Sequence, residues 1–595
     1  MKDYGKHSGR QRIGDVGLRV LMVAVVLLLC GTKATARQAV SPNGRLKVAL
    51  HDSLYVVSYQ GKTVLQLTAA GYATKPLPIG RRVRHIRDDY TMLTGKRLHC
   101  TNEANEYRMG SLVLRVYNDG IAFRDESAVG QQQEHTAYRI AEGTRRWMLQ
   151  WVDSYEGFFP LTTTAKNGRW GYPALLEPAE GVFALISEAN IERGQSGSSL
   201  YSEGDCYRVV QEEHSLGRTP WRVVIVGTLD EVVQSTLVSD VADPCRLQDT
   251  SWIRPGVASW IYWAYNHGSS DYDIVCRYVD MAAELGLPYV LIDAEWDEMK
   301  NGKTIDDALD YARQRGVRPL IWYNSSVGWV NGAPGPKYRL NKPEDREREF
   351  DWCERMGVAG VKIDFFSGDN QLNMDYCIDL LECAARHHLL VNFHGATVPR
   401  GWQRTYPNLM TTEGVYGAEW YNNVPTFTER AASHNATLPF TRNVIGPMDY
   451  TPCTFSDSQH PHITTCGHEL ALTVLFESGL QHLPDRPESY LSQPQAIRRF
   501  FSELPTVWNE TRLVSGYPGE SVVMARRRGT VWYVAGINGT DRQLSLQTPL
   551  GFIPQGDATL IADGAPWTIV EHADIPDSIC CKPRGGFVLV VRTVG

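Results

Sequence analysis

The sequence predicts three domains in one chain: an N-terminal β-sandwich, a central (β/α)8 barrel of the TIM type and a small C-terminal β-sandwich, so a multidomain α/β plus all-β protein. Three observations carry this. A chain of 595 residues exceeds a single core, since domains run to about 100–200 residues. Up to about residue 250 it alternates short strands with turn dipeptides. After Pro255-Gly256 apolar strands alternate with amphipathic helices, the pattern of a parallel barrel.

The first 36 residues read as an export signal. Basic residues up to Arg19 precede the apolar run Val20 to Leu29, too short to span a bilayer, and Ala34-Thr35-Ala36 offers small residues for cleavage before Arg37. An exported, periplasmic protein is expected, with no stable membrane insertion after cleavage. Cys30 invites comparison with a lipid attachment site, but the large Leu29 before it is poorly suited to processing. The other cysteines form no CxxC pair, which argues against a zinc ribbon, and the adjacent Cys580-Cys581 could bridge each other only with strain.

Residues 37–250 are assigned to the first sandwich. SPNGRLKVALHDSLYVVSYQGKTVL has strand alternation with turns at Asn43-Gly44 and Gln60-Gly61, and SLVLRVYNDGIAFRDE repeats it around Asn118-Asp119-Gly120. Residues 251–510 are assigned to the barrel. Its candidate strands are VASWIYW, YVLIDAE, PLIWYN, GVKIDFF, LLVNFHG, LMTTEG, TRNVIG and LTVLFESG, with helices such as TIDDALDYARQRG and NMDYCIDLLECAARHH between them. The strand candidate LTVLFESG could instead end a helix. Residues 511–595 return to strands, in SVVMARRRGTVWYVAGING and GGFVLVVRTVG.

Net charge is −7 and there is no basic stripe, so no nucleic-acid partner is expected. The 16 Trp and 28 Tyr suit a protein that stacks sugar rings, although large β-rich proteins are also aromatic.

Barrel chemistry sits where strands end. The strand ends supply Asp293 and Glu295, Tyr323 and Asn324, Lys362 and Asp364, Asn392 and His394, and Glu413, with Glu419 on the loop after it. Carboxylates facing one another across a cleft are what glycosidic cleavage needs. Phosphoryl transfer would want a glycine-rich anion cradle, a serine hydrolase a GxSxG elbow and a zincin HExxH. None of these is present; His468-Glu469 lacks the second histidine. By themselves these residues keep other duties open. Asp364 could cap the loop SGDNQ, Asp293 could pair with Lys362, His394 could be a structural imidazole, and Trp260, Trp263 and Trp296 could be core instead of sugar platform.

PGVASW, LIDAEW, GVKIDFF, NFHGATVPRGWQRTYPNLMTTEGVYGAEW and TRNVIGPMDYTP together resemble glycoside hydrolase family 97, whose members are exo-acting α-glucosidases and α-galactosidases. YNDGIAFR and LISEANIE extend the resemblance to the N-terminal domain. In that family an inverting branch carries a glutamate base after the fifth strand and a retaining branch an aspartate at the end of the fourth. Here Gly395 follows His394 and Asp364 ends the fourth strand, so the resemblance implies a retaining enzyme with Asp364 as nucleophile and Glu419 as acid/base. It further implies a calcium ion held by Glu413, Glu419 and an N-terminal-domain glutamate that best matches Glu188. Asp293, Lys362, His394 and Trp260 are the expected substrate-binding residues. The expectation is an exo-acting, calcium-dependent α-galactosidase acting as a monomer on oligosaccharides; an α-glucosidase or a non-catalytic glycan-binding protein is the alternative.

Overall fold

The computed structural model describes Met1 and residues 38–127, 132–213, 217–422, 424–458 and 460–593; the export signal and Cys30 lie outside them. Among the described residues no helix is long and apolar enough to cross a membrane, and the eleven cysteines there are all free thiols.

The N-terminal domain is a continuous sheet of sixteen strands wrapped around a core that includes Leu46, Val57, Tyr138, Leu176, Ile186 and Val224. The turn dipeptides sit where their backbone freedom is needed. Gly61, at φ +83°, joins strands Leu54–Tyr59 and Lys62–Ala69, a left-handed conformation that costs glycine little. The strands Leu112–Tyr117 and Gly120–Asp125 pair around Asn118-Asp119.

The central domain is a barrel of parallel strands: β1 (Gly256–Trp260), β2 (Tyr289–Ile292), β3 (Arg318–Asn324), β4 (Gly360–Asp364), β5 (Leu390–Phe393), β6 (Leu409–Thr412) and β7 (Leu480–Leu483). They pair in the order β6-β5-β4-β3-β2-β1-β7. Each of the first four is followed by helix or 3-10 turns, and the longer helices are α1 (Tyr272–Leu285), α2 (Ile305–Gln314), α3 (Pro343–Arg355), α4 (Gln371–Arg386), α5 (Pro425–Asn435) and α6 (Cys466–Leu475). Their ends follow ordinary capping chemistry. Asp271 caps α1 by accepting from Asp273 N and Ile274 N, and Gly286 closes it at φ +71°.

Two expected strands are corrected. TRNVIG does not form a strand; Arg442–Ile445 is a 3-10 turn. The stretch from it to Asp449 bridges the gap between β6 and β7, with Asp449 N donating to Thr412 O at 3.0 Å and Met448 N to Glu477 O at 2.9 Å. The Arg442 guanidinium plugs this gap, donating to carbonyls of Thr412, Glu413, Gly414, Gly446 and Pro447. LTVLFESG likewise supplies the end of α6, and the last strand is LQHL, which begins five residues after that helix ends. Every residue of α6 from Gly467 to Leu475 is buried, and a helix buried on all sides has no clear period to separate it from a buried strand.

The C-terminal domain is a six-stranded antiparallel sheet with a separate two-stranded ladder, Leu544–Gln547 against Ser578–Cys581, around Val534, Leu546, Phe587 and Leu589.

Candidate active site

The carboxyl ends of β1 to β6 converge on a cavity of about 350 Å³, lined by Asp293, Lys362, Asp364, Gly395, Glu413 and Glu419 together with Glu156 and the aromatic rings of Tyr262, Trp263, Trp322, Trp329 and Trp420. Lys362 and Asp364 are two apart on β4, so both point to the same face.

Asp364 is 8% exposed. Its Oδ2 accepts from Trp322 Nε1 at 3.1 Å and its Oδ1 from Phe365 N at 2.8 Å. The loop cap left open by the sequence falls to Asn370, whose side chain accepts from Asn373 N at the start of α4. Burial raises the Asp364 pKa, while the charges of Lys362 and His394 oppose the rise. Phe365 adopts φ +67°, which turns the chain sharply after the carboxylate. Gly395 faces it at φ +48°, and a Cβ there would lie 2.9 Å from Asp364 Oδ1 and 3.0 Å from Phe365 N. The space that a base after β5 would need is taken by Asp364.

Lys362 Nζ lies 3.0 Å from Asp293 Oδ2 and 4.7 Å from the centre of the Trp260 ring. Burial works against its charge, but Asp293, Asp364 and Glu419 outweigh burial and raise its pKa. The ammonium is thus a fixed positive charge between the carboxylates. Asp293 lines the cavity but is largely committed: Oδ2 also accepts from Trp260 Nε1 at 2.6 Å, and Oδ1 accepts from Ala294 N at 2.8 Å.

Glu413 accepts from Gly395 N at 2.7 Å and faces His394 Nδ1 at 3.3 Å. Burial raises its pKa, but the His394 charge and the Gly395 amide more than reverse that, so Glu413 is held ionised. Glu419, on the 3-10 turn Ala418–Asn422, has the opposite balance. Burial and the neighbouring Glu413 push its pKa well above the usual carboxylate range, and Lys362 and His394 offset this only partly.

Three expectations are corrected by the geometry. Glu188 is fully buried in an ion network: Oε1 accepts from Arg400 Nε at 2.7 Å and from Ser198 N at 2.9 Å, and Oε2 pairs with Arg222. It faces its own domain's arginine and that of the barrel, with no oxygen left for a cation. His394 does not line the cavity; Nε2 contacts Asp449 Oδ2 at 2.7 Å and Nδ1 meets Glu413. Burial disfavours its charge, but Glu413 and Asp449 hold it protonated, so it braces Glu413 from beneath. Trp260 is 0% exposed, with its ring under Lys362 and beside Tyr262 at 5.9 Å. It supports the floor and presents no face to a sugar. Of the two other tryptophans left open, Trp263 lines the cavity and Trp296 is buried, stacked on Trp352 at 5.8 Å.

The residue that sequence reasoning missed is Glu156. It stands on the N-terminal-domain loop WVDSYEGFF, enters the cavity and accepts from Trp420 Nε1 at 2.7 Å. Burial, then the charge of Glu413, lifts its pKa to about 8. The available signal was a lone acid in an aromatic loop. Asp449 was missed as well; it gathers Asn392, His394 and His482 on one carboxylate.

Glu156, Glu413 and Glu419 form an oxygen-rich set, and one ligand atom each of His394, Glu413 and Glu419 lies within 4.8 Å of the others. The mutual repulsion that lifts Glu156 and Glu419 is what a hard divalent cation would relieve. The residues therefore fit calcium, and Glu156, unlike Glu188, lines the same cavity as Glu413 and Glu419.

Family models match the chain in three consecutive parts: the N-terminal domain of glycosyl hydrolase 97 at residues 39–244, glycoside hydrolase 97 at 258–415, and the C-terminal domain of glycosyl hydrolase 97, described as an oligomerisation domain, at 507–591. A Streptomyces bingchenggensis protein named "Probable retaining alpha-galactosidase" is 35% identical, over 90% of this chain and 86% of that one. The "Retaining alpha-galactosidase" of Bacteroides thetaiotaomicron is 32% identical, over 80% of this chain and 83% of its own. Among solved structures, a β-arabinopyranosidase superposes with TM-score 0.84 at 28% identity, covering 93% of this chain and all of its own. A family 97 enzyme of Pseudoalteromonas in complex with panose has the same fold, with TM-score 0.82 at 20% identity over 94% of this chain and all of its own.

Proposed function

The chain belongs to glycoside hydrolase family 97, and on that footing we propose that it is an exo-acting, calcium-dependent α-galactosidase that retains anomeric configuration. The observation that carries the reading is the contact between Asp364 and Gly395: a carboxylate on the cavity floor, and a backbone opposite it that has no room for a base.

Hydrolysis then proceeds by two displacements. Asp364 Oδ attacks the anomeric carbon as the bond to the leaving oxygen breaks, and Glu419 gives that oxygen its proton. Glu419, now ionised, takes a proton from water as the water oxygen displaces Asp364, and galactose leaves with its α configuration. The two carboxyl groups differ in degree: burial raises the pKa of both against the charges of Lys362 and His394, and at Glu419, where Glu413 is the next largest cause, the rise goes well above the usual carboxylate range. Glu156, Glu413 and Glu419 would hold the calcium ion, which supplies positive charge for sugar hydroxyls and for the crowded carboxylates. Asp293 and Lys362 stand where sugar hydroxyls would be bound, and Tyr262, Trp263, Trp322, Trp329 and Trp420 supply apolar ring faces. The enclosing aromatic wall supports action at a chain end. The basic and apolar N-terminal run and its small-residue cleavage site support export to the periplasm.

The test is turnover of nitrophenyl α-galactoside, α-glucoside and β-L-arabinopyranoside with calcium or chelator, with proton NMR of the first anomer released. Galactoside preference, dependence on calcium and release of α-galactose are expected. Release of β-galactose would overturn the double displacement; faster cleavage of the glucoside would overturn the sugar assignment; and sugar binding without turnover would favour a binding protein.

A further inference from the structure

A second set of metal-ligating side chains lies at the end of the barrel away from the cavity. α3 and α4 flank β4 in sequence, and barrel helices run back from the rim. The last turn of α4 is therefore at the opposite end from Asp364. Cys383 and His387 are four residues apart there, hence on one helical face. Glu347 of α3 faces both. Cys383 Sγ donates to Glu347 Oε2 at 3.3 Å, and His387 Nε2 is 3.0 Å from Glu347 Oε1. One sulfur, one nitrogen and one oxygen are all within 4.8 Å of each other.

The outer partners are those of a built site. His387 Nδ1 meets Glu354 Oε2 at 3.2 Å, and the other oxygen of Glu354 meets His388 Nδ1 at 2.8 Å. A carboxylate on Nδ1 is the usual outer support of a metal-bound histidine, and the contact of Nε2 with Glu347 Oε1 is the one a metal ion would replace. Arg386 Nη2 holds Glu347 Oε2 at 2.7 Å, so Oε1, in contact with His387 Nε2, is the oxygen turned toward the imidazole. The thiol is buried and the carboxylate half open to solvent, so an ion can enter past Glu347.

We propose that Glu347, Cys383 and His387 bind one divalent ion of the zinc class, with Glu354 orienting the histidine. Thiolate and imidazole select a borderline-soft metal over calcium or magnesium. Binding forms the metal–sulfur and metal–nitrogen bonds as the protons of Cys383 Sγ and His387 Nε2 leave to solvent, and water completes the shell. The ion ties α3 to α4 across the β4 unit that carries Asp364, without touching the cavity.

The experiment uses the whole enzyme, stripped of metal, resupplied with excess calcium and titrated with cobalt(II). One cobalt per chain with a near-ultraviolet thiolate-to-cobalt charge-transfer band is expected, and one equivalent of zinc should displace it. The cavity carboxylates have no thiol and cannot give this band. Cys383→Ser should abolish it and His387→Gln should weaken cobalt binding by about tenfold or more, both with hydrolase turnover kept. Absence of the band at one equivalent overturns the proposal, as does its persistence in Cys383→Ser, which would place it on another thiol such as Cys245. Should Cys383→Ser lose turnover through misfolding, unchanged cobalt affinity in His387→Gln overturns it instead.

Discussion

Arg400 of the barrel and Glu188 of the N-terminal sheet form a buried ion pair, Nε to Oε1 at 2.7 Å, with neither side chain exposed. Arg400 also pairs with Asp369 on the loop after β4 and donates to Tyr155 Oη at 2.9 Å. Tyr155 immediately precedes Glu156, so the pair locates the N-terminal loop that enters the cavity. Glu188→Gln removes one of the hydrogen-bonded charges shared by Arg400 and Arg222, while Asp369 still pairs with Arg400 and Glu134 with Arg222, so it should cost about 1–3 kcal/mol of stability. Glu156→Gln should instead leave the melting temperature in the presence of chelator nearly unchanged and weaken calcium activation by roughly tenfold or more. Thermal melts and calcium titrations of both variants distinguish the two glutamates; the reverse pattern would restore Glu188 as the ligand.

Asp364→Ala should lower turnover by roughly 10⁴-fold or more, because a nucleophile acts as a unit with its acid. Added azide, small enough for the vacated space, should partly restore activity and yield the β-galactosyl azide. Loss of activity without any azide product would argue against covalent attack by Asp364.

Gly395→Ala adds a methyl group 2.9 Å from Asp364 Oδ1 at a left-handed backbone position. The expected result is a drop in kcat of roughly 10²-fold from displacement of the reacting carboxylate, with a smaller change in KM. Unchanged kcat would mean that the floor of the cavity is more compliant than the contact indicates.

Two buried histidines should make the enzyme less stable in acid. Burial pushes His434 down to about 4 and His468 to about 3, whereas an unfolded histidine titrates near 6.5. Below that value the unfolded chain binds more protons, so this stability is complete above about pH 6.5 and is lost as pH falls toward the folded values. At pH 5 each should cost about 2 kcal/mol. His434 packs against Phe158 and Phe427, so His434→Phe should lose about 2 kcal/mol less than wild type between pH 7.5 and 5 in urea unfolding. Equal losses would remove His434 as a cause.

Much of this protein was legible without coordinates. Strand alternation and turn dipeptides are local, so the N-terminal sheet and most of the barrel strands could be read directly. Asp364 was found because a single charge at the end of an apolar strand must emerge on the rim. Glu413 and Glu419 came with a long contiguous motif. Local signals failed where the neighbours supply the meaning. α6 is buried on every side and carries no period, and the Arg442 turn owes its shape to carbonyls from β6.

The two N-terminal glutamates show the limit most clearly. Glu156 and Glu188 are both acids in aromatic or apolar surroundings, and sequence offers no reason to prefer the first. The charges that neutralise Glu188 belong to Arg222, 34 residues away, and Arg400, 212 residues away. His394 likewise became a brace because Asp449, 55 residues on, takes its second nitrogen. What the sequence by itself determined was the set of strand ends and the acids they carry, because backbone periodicity is local. Which acid stays free for a cation or a sugar, and which is spent on a buried arginine, was decided only by the tertiary structure. Electrostatic partnership depends on distance in space, and the chain's order does not record it.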